Sequence, residues 1–113
     1  MLKFFNKIIN GDCLQELKKI PSKTFDLVFA DPPYNMQIGD KLTRPDSSKV
    51  NGVTDKWDQF LSFKHYDEFS KAWLRECKRI LKDNGSIWVI GSYHNIFRLG
   101  YHLQNLDFWL LND

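Results

Sequence analysis

Hydrophobic residues in this chain occur in two patterns that alternate along the sequence. Some form short continuous runs, and others are spaced three and four residues apart, as on one face of a helix. Residues 25–30 and 87–90 are almost wholly apolar, which is typical of strands buried on both faces of a parallel sheet. Shorter apolar runs at 8–9 and 108–111 predict two more strands. Turn-forming residues close the first three runs along the chain, because glycine, proline, asparagine and aspartate favour turns. The pattern therefore predicts four short strands.

Apolar residues spaced three and four apart predict helices between these strands. The strongest helix should begin at an N-cap, Ser62, and end at a left-handed cap, Asn84-Gly85. Its apolar face carries Phe63, Tyr66, Phe69, Trp73, Cys77, Ile80 and Leu81. An earlier helix, stopped by Pro21, carries Leu14, Leu17 and Ile20. A last helix carries Ile96, Leu99, Leu103 and Leu106.

The predicted order is strand, helix, strand, long loop, helix, strand, helix and strand. Such alternation implies right-handed β-α-β crossovers and an α/β fold, with a mostly parallel sheet and helices on both faces. Ligands of such sheets bind beyond the carboxyl ends of the strands. Residues 10–12, 31–34 and 91–95 each follow a predicted strand, so we expect them to line one crevice.

The composition suits one small domain or a part of a larger one. Apolar residues make up 42% and charged residues 27%, which argues against a disordered tail, and no apolar run approaches membrane-spanning length. The net charge of +2 does not by itself indicate nucleic acid binding. Cys13 and Cys77 lie far apart without ligand-spaced histidines, so we expect reduced thiols and no metal site.

The segment Asp31-Pro32-Pro33-Tyr34 places a carboxylate, a rigid backbone and an aromatic ring at the end of a strand. Proline carbonyls remain free to accept hydrogen bonds. Asp31 and the Pro32 carbonyl can each accept one N–H of an exocyclic amine on a planar base, while Tyr34 stacks on the ring. Such chemistry works by positioning and electrostatics. The alternative is a plain strand-ending turn, since aspartate and proline are common in turns.

Residues 27–35 (LVFADPPYN) resemble the catalytic motif of amino-methyltransferases that act on DNA. Residues 57–60 and 81–98 extend the resemblance to the bacterial cell-cycle-regulated adenine methyltransferases, and it covers nearly the whole chain. The resemblance implies a partial Rossmann-like methyltransferase fold, S-adenosylmethionine as methyl donor, and N6 of adenine in duplex GANTC as the target. It also implies a bacterial cytoplasmic, nucleoid-associated protein that flips the target base out of the duplex.

The resemblance gives roles only to residues whose motifs match. The implied catalytic residues are Asp31, Pro32, Pro33 and Tyr34. The implied cofactor-binding residues are Asp12, Cys13 and Asp31, because residues 11–13 resemble a segment in which a carboxylate lies near the adenine of the cofactor. For Asp12, the N-cap of the following helix is an equally good role.

Two segments are candidates for DNA contact. The stretch 36–60 has no helical or strand period, and a loop of this length is functional or disordered. Its candidate residues are Lys41, Arg44, Lys49 and Trp57, with phosphates and displaced bases as their targets. A solvated loop with Trp57 folded back is the alternative. The second segment, which matches the border of the target-base pocket, comprises Tyr93, His94 and Asn95; turn and capping roles stay open for the last two.

Relatives of this class carry a Phe-x-Gly-x-Gly cofactor loop and a target-recognition region in their second half, and this sequence has neither. We therefore expect residues 1–113 to be an N-terminal catalytic segment, inactive alone and completed by a C-terminal half or a second copy. Besides adenine-N6 methylation of duplex DNA, two functions stay open: cytosine-N4 methylation, and a non-catalytic remnant that binds DNA weakly. Aspartate rather than serine before Pro-Pro-Tyr favours adenine by family analogy.

Overall fold

The computed structural model of the chain describes residues 2–35, 46 and 59–113. Its elements, in chain order, are a 3-10 helix (Leu2–Phe4), α1 (Cys13–Lys18), β1 (Phe25–Ala30), α2 (Phe63–Ile80), β2 (Leu81–Val89) and α3 (Ile96–Asn105). β1 and β2 pair in parallel, with Val28 opposite Ile87 and Ala30 opposite Val89. The predicted α/β class with a parallel sheet is therefore confirmed. Within the described part, no helix is long and apolar enough to cross a membrane.

The hydrophobic core lies on one face of this sheet. Its centre consists of buried side chains of α2 and α3, namely Trp73, Leu74, Cys77, Leu99 and Leu103. Partly buried side chains of the two strands and of α1 pack against that centre, namely Val28, Ala30, Ile87, Val89, Leu14 and Leu17. Since all three described α-helices contribute to this cluster, their packing holds the carboxyl ends of both strands in place.

The opposite face of the sheet is exposed in the described structure. Leu27 is 55%, Phe29 68% and Trp88 57% exposed, because no described element packs over these side chains. The sequence pattern predicted helices on both faces, and the described helices cover only one. An apolar strand pattern records which side chains favour burial, but it does not specify what covers them.

Two of the four predicted strands do not form among the described residues. Residues 8–9 and 108–111 pair with neither β1 nor β2, and Ile8 is 101% and Trp109 86% exposed. A strand requires a neighbouring backbone to complete its hydrogen-bond ladder, which an apolar run cannot supply alone. The Phe108 N–H instead donates to the Leu103 carbonyl (3.0 Å) just beyond α3.

Helix α2 begins where the sequence predicts and ends four residues earlier than the predicted cap at Asn84. The Ser62 hydroxyl accepts a hydrogen bond from the His65 N–H (3.2 Å), as an N-cap does. At the other end, the Thr24 N–H donates to the Ile80 carbonyl (2.7 Å), and the chain turns directly into β2. The predicted left-handed cap is therefore wrong.

Gly85 lies inside β2, where the strand is irregular. β1 advances from Phe25 to Leu27 while β2 advances from Leu81 to Ser86, so the extra residues of β2 bulge out of the ladder. A Cβ added to Gly85 would lie 3.1 Å from the Asp26 carbonyl oxygen. Close approach of two backbones therefore explains the glycine at this position.

Arg79 connects α2 to the end of α1 by hydrogen bonds. Its guanidinium donates to the carbonyls of Leu17 (2.9 Å) and Ile20 (2.8 Å), while its Nε donates to Glu76 Oε2 (2.7 Å). The last carbonyls of a helix have no partner within the helix, and a cation near them also opposes the helix dipole. Arg79 thus satisfies the end of α1 from within α2.

Candidate active site

The segment 31–34 leaves the carboxyl end of β1 beside the segment that leaves β2. The Ile90 N–H donates to the Ala30 carbonyl (2.9 Å), so the two strands stay paired up to the point where both segments begin. Asp31 is exposed, and the three residues after it are half-buried. The structure therefore brings residues 31–34 and 91–95 to the same edge of the sheet, where ligands of α/β folds bind.

Asp31 and Tyr34 bind each other at this edge. The Tyr34 hydroxyl donates to Asp31 Oδ1 at 2.6 Å. This hydrogen bond, more than desolvation, raises the pKa of Tyr34, because it favours the neutral phenol beside the carboxylate. Among the described residues, Oδ2 of Asp31 accepts no hydrogen bond, so one carboxylate oxygen is available to a ligand.

A chain of hydrogen bonds joins the two segments through α2. The Tyr66 hydroxyl donates to the Pro33 carbonyl (3.0 Å) and accepts from Asn95 Nδ2 (2.9 Å). Asn95 Oδ1 in turn accepts from the Ser92 N–H (2.7 Å). Tyr66 and Asn95 are each 1% exposed. The Pro33 carbonyl is therefore bound within the protein, whereas the Pro32 carbonyl has no hydrogen-bond partner among the described residues.

The three candidates at 93–95 have two different environments. Tyr93 is 80% exposed, and its ring lies 4.3 Å from that of His94, tilted by 36°. His94 is also exposed. Asn95 is buried, and both ends of its amide bind protein groups. Tyr93 and His94 are accessible to a base, whereas Asn95 holds the segment together.

Asp12 and Cys13 lie at the start of α1. Asp12 Oδ1 accepts a hydrogen bond from the Gln15 N–H (3.0 Å), so Asp12 serves as the N-cap. Its other carboxylate oxygen belongs to an exposed residue and can still accept a donor. Partial desolvation and the neighbouring Asp12 carboxylate raise the pKa of the Cys13 thiol. The thiol therefore remains protonated and a weak nucleophile near neutral pH.

The other predicted DNA contacts lie outside the described residues, namely Lys41, Arg44, Lys49 and Trp57. Their roles remain predictions. In the described ranges, no cluster of three or more histidine, cysteine or carboxylate side chains could hold a metal ion. The helical spacing correctly predicted that Tyr66 is buried, but it gave no sign that its hydroxyl reaches Pro33.

Comparison with known proteins assigns the chain to a family. The sequence profile described as DNA methylase, whose name joins N6 and N4 methyltransferases, matches residues 25–113. Type II methyltransferase M.HinfI of Haemophilus influenzae is 58% identical over 110 residues, covering 97% of this chain and 31% of the relative. Type II methyltransferase M2.DpnII of Streptococcus pneumoniae is 33% identical over 114 residues, covering 97% of this chain and 42% of the relative.

The chain thus spans less than half the length of either relative. The profile match nevertheless includes both strands, α2, α3 and the segment 31–34. The resemblance first visible at residues 27–35 therefore extends through most of the described structure. This chain belongs to the DNA methylase family.

Proposed function

We propose that the protein containing residues 1–113 transfers a methyl group to N6 of adenine in duplex DNA, at the sequence GANTC. We further propose that it is of the bacterial cell-cycle-regulated type. The observation that carries the proposal is the hydrogen bond from the Tyr34 hydroxyl to Asp31 Oδ1 (2.6 Å) at the carboxyl end of β1. It occurs in a member of the DNA methylase family. A carboxylate beside an aromatic ring suits an amine on a planar base.

In this proposal the target amine donates its two N–H groups to Asp31 and to the Pro32 carbonyl. Both acceptors have capacity to spare, because Oδ2 of Asp31 and the Pro32 carbonyl bind no described protein donor. Two such bonds fix the plane of the amine and direct its lone pair at the methyl group. They also stabilise the positive charge that develops on the nitrogen, a preorganised electrostatic effect.

S-adenosylmethionine would supply an electrophilic methyl group at this site. The chemistry of two candidate residues fits such a ligand, since Asp12 and Asp31 each present a carboxylate oxygen to hydrogen-bond donors and positive charge. The raised pKa of Cys13 fits as well. A protonated thiol does not compete with the target amine for a methyl group, because the thiolate is the reactive form.

Duplex DNA is the proposed partner. A stacked base cannot reach the end of a sheet, so the target adenine must leave the duplex. We assign stacking on the extruded base to the Tyr34 ring, and the border of its pocket to Tyr93 and His94. Contacts with phosphates and with the displaced strand are assigned to Lys41, Arg44, Lys49 and Trp57.

Replacing Asp31 by Ala in the full-length protein tests this function. Single-turnover transfer of a tritiated methyl group to a GANTC duplex should slow by about 10² to 10³, the usual cost of one preorganised electrostatic contact. DNA binding should stay unchanged. Asp26→Ala is the matched control, because Asp26 is an exposed carboxylate at the other end of β1. If the Asp31→Ala protein transferred the methyl group at the wild-type rate, Asp31 would have no role in the reaction.

The methylated product separates the remaining candidates. Cytosine-N4 methylation is the second candidate, because the matching family profile joins N6 and N4 enzymes. Enzymatic digestion of the labelled DNA to nucleosides distinguishes N6-methyladenine from N4-methylcytosine. A full-length protein that labels neither base, and that releases no measurable heat when it is titrated with S-adenosylmethionine, would instead be a non-catalytic remnant. For residues 1–113 alone we expect no methyl transfer.

A further inference from the structure

We propose that Tyr66 and Asn95 are positioning residues that set the gap into which the target base enters. One wall of this gap is the segment 31–34, and the other carries the exposed pair Tyr93 and His94. The proposal rests on the proposed function, because the gap matters to catalysis only if a base occupies it. Its physical basis is a buried link between the two walls, which can be measured without DNA.

The link has one arrangement of protons. The Pro33 carbonyl can only accept a hydrogen bond, and the Ser92 N–H can only donate one. The Tyr66 proton must therefore point at Pro33, and Asn95 must turn its oxygen to Ser92 and its NH₂ group to Tyr66. Hydrogen bonds in such a chain polarise one another, which makes the chain stiffer than three isolated bonds.

Packing holds both members of the link in place. The Phe60 ring meets the Tyr66 ring edge-on, with centroids 5.0 Å apart and planes at 83°. A Cβ added to Gly91 would lie 3.1 Å from Asn95 Oδ1, so the backbone passes tightly over the buried amide. Tyr66 also belongs to the 18-residue helix α2, which keeps the backbone at this end of the link in place. Because burial without partners is costly for a hydroxyl or an amide, their hydrogen bonds maintain this geometry.

The link also engages one of the two proline carbonyl oxygens, which leaves the other as the less encumbered acceptor for the amine. Tyr66 occupies the Pro33 carbonyl, and the Pro32 carbonyl remains without a described partner. Without the Tyr66 hydroxyl, the Pro33 carbonyl would need another donor and the segment 31–34 could shift. A misplacement of about 1 Å can cost about a hundredfold in rate. Binding of DNA and of the methyl donor depends on other contacts and should change little.

Tyr66→Phe in the full-length protein is the test, because it removes only the hydroxyl and keeps the buried ring. Tyr101→Phe is the matched control, since it removes the same atom from an α3 side chain that is 63% exposed. Hydrogen–deuterium exchange at the Ser92 amide, which donates to Asn95 Oδ1, measures the link directly. Loss of the link should speed exchange there at least about tenfold, as expected for a segment that opens locally.

The second measurement is single-turnover methyl transfer by the same proteins. Tyr66→Phe should slow it by about ten- to a hundredfold, the scale of a small misplacement, with the affinities for DNA and S-adenosylmethionine unchanged. Asn95→Ala should act in the same way, because it removes the amide that accepts from the Ser92 N–H and donates to the Tyr66 hydroxyl. This second variant also covers the case in which Tyr66→Phe fails to fold, and thermal unfolding reports which proteins are folded.

Unchanged exchange in both folded variants would overturn the link itself, whether or not the protein methylates DNA. Faster exchange with an unchanged rate would leave a structural link and overturn the positioning role. Equal effects in Tyr101→Phe would overturn any role specific to Tyr66. A wild-type protein that methylates no DNA overturns the proposed function and the positioning role together, while the exchange difference still reports the link. Faster exchange, a lower rate and unchanged affinities together support the proposal.

Discussion

Replacing Tyr34 by Phe and by Ala separates the two parts of its side chain. In the structure the hydroxyl occupies Asp31 Oδ1 at 2.6 Å, which is part of the carboxylate that the proposed function assigns to the target amine. Tyr34→Phe keeps the ring and frees this oxygen. Tyr34→Ala removes the ring as well. The proposed function makes opposite predictions for the two variants.

The magnitudes follow from the two interactions. Stacking of a base on an aromatic ring is worth about 1–3 kcal/mol, so Tyr34→Ala should slow single-turnover transfer by about 5- to 160-fold. The hydrogen bond joins an exposed carboxylate to a half-buried ring and has a net worth of about 1 kcal/mol. Releasing it should leave Tyr34→Phe at least as fast as wild type, by up to about fivefold.

Fluorescence of 2-aminopurine at the target position adds a measure of base extrusion, which should fall in Tyr34→Ala and persist in Tyr34→Phe. The hydrogen bond can also be checked without DNA. Since Asp31 raises the pKa of Tyr34, Asp31→Asn should lower that pKa in a near-ultraviolet titration. Tyr34→Phe as slow as Tyr34→Ala would refute the reasoning, because the hydroxyl rather than the ring would then carry the function.

Two further predictions concern the scaffold. Arg79→Ala leaves the carbonyls of Leu17 and Ile20 without their charged donor, so the free energy of unfolding, measured in urea, should fall by about 2–4 kcal/mol. Arg79→Lys should recover part of this loss. An unchanged unfolding midpoint in Arg79→Ala would contradict the role of Arg79. Burial raises the pKa of Cys77 to about 12, so in mildly alkaline buffer Cys77 should be alkylated only after unfolding, whereas the exposed Cys13 should react in the folded protein. Mass spectrometry measures both rates, and equal rates would contradict the burial.

The position of the segment 31–34 could be predicted because it depends on local features. An apolar run followed by two prolines specifies both a strand and its end, and in a parallel sheet that end lies where ligands bind. The start of α2 was predictable for the same reason, since Ser62 and the next three residues form the cap. Signals of this kind lie within a few residues of the feature that they predict.

The errors share a cause, which is dependence on distant partners. Residues 8–9 and 108–111 have apolar runs suitable for strands, but a strand forms only beside another backbone. The end of α2 is likewise fixed from outside, because the Thr24 N–H takes the Ile80 carbonyl and β2 begins there. Asn84-Gly85 satisfies the local rule for a helix end, and the tertiary contact overrides it.

Tyr66 and Asn95 show how the same limit applies to the site. Helical spacing predicts which face of α2 is buried, but it does not predict where a hydroxyl at the tip of a ring finds its partner. Asn95 directly precedes α3 and makes no side-chain capping bond there; its amide joins Ser92 to Tyr66. Predicted separately, one residue belonged to the core and the other to a base pocket or a cap. Their shared hydrogen bond makes them one unit, and that unit connects the segments after β1 and β2 on which the proposed chemistry depends.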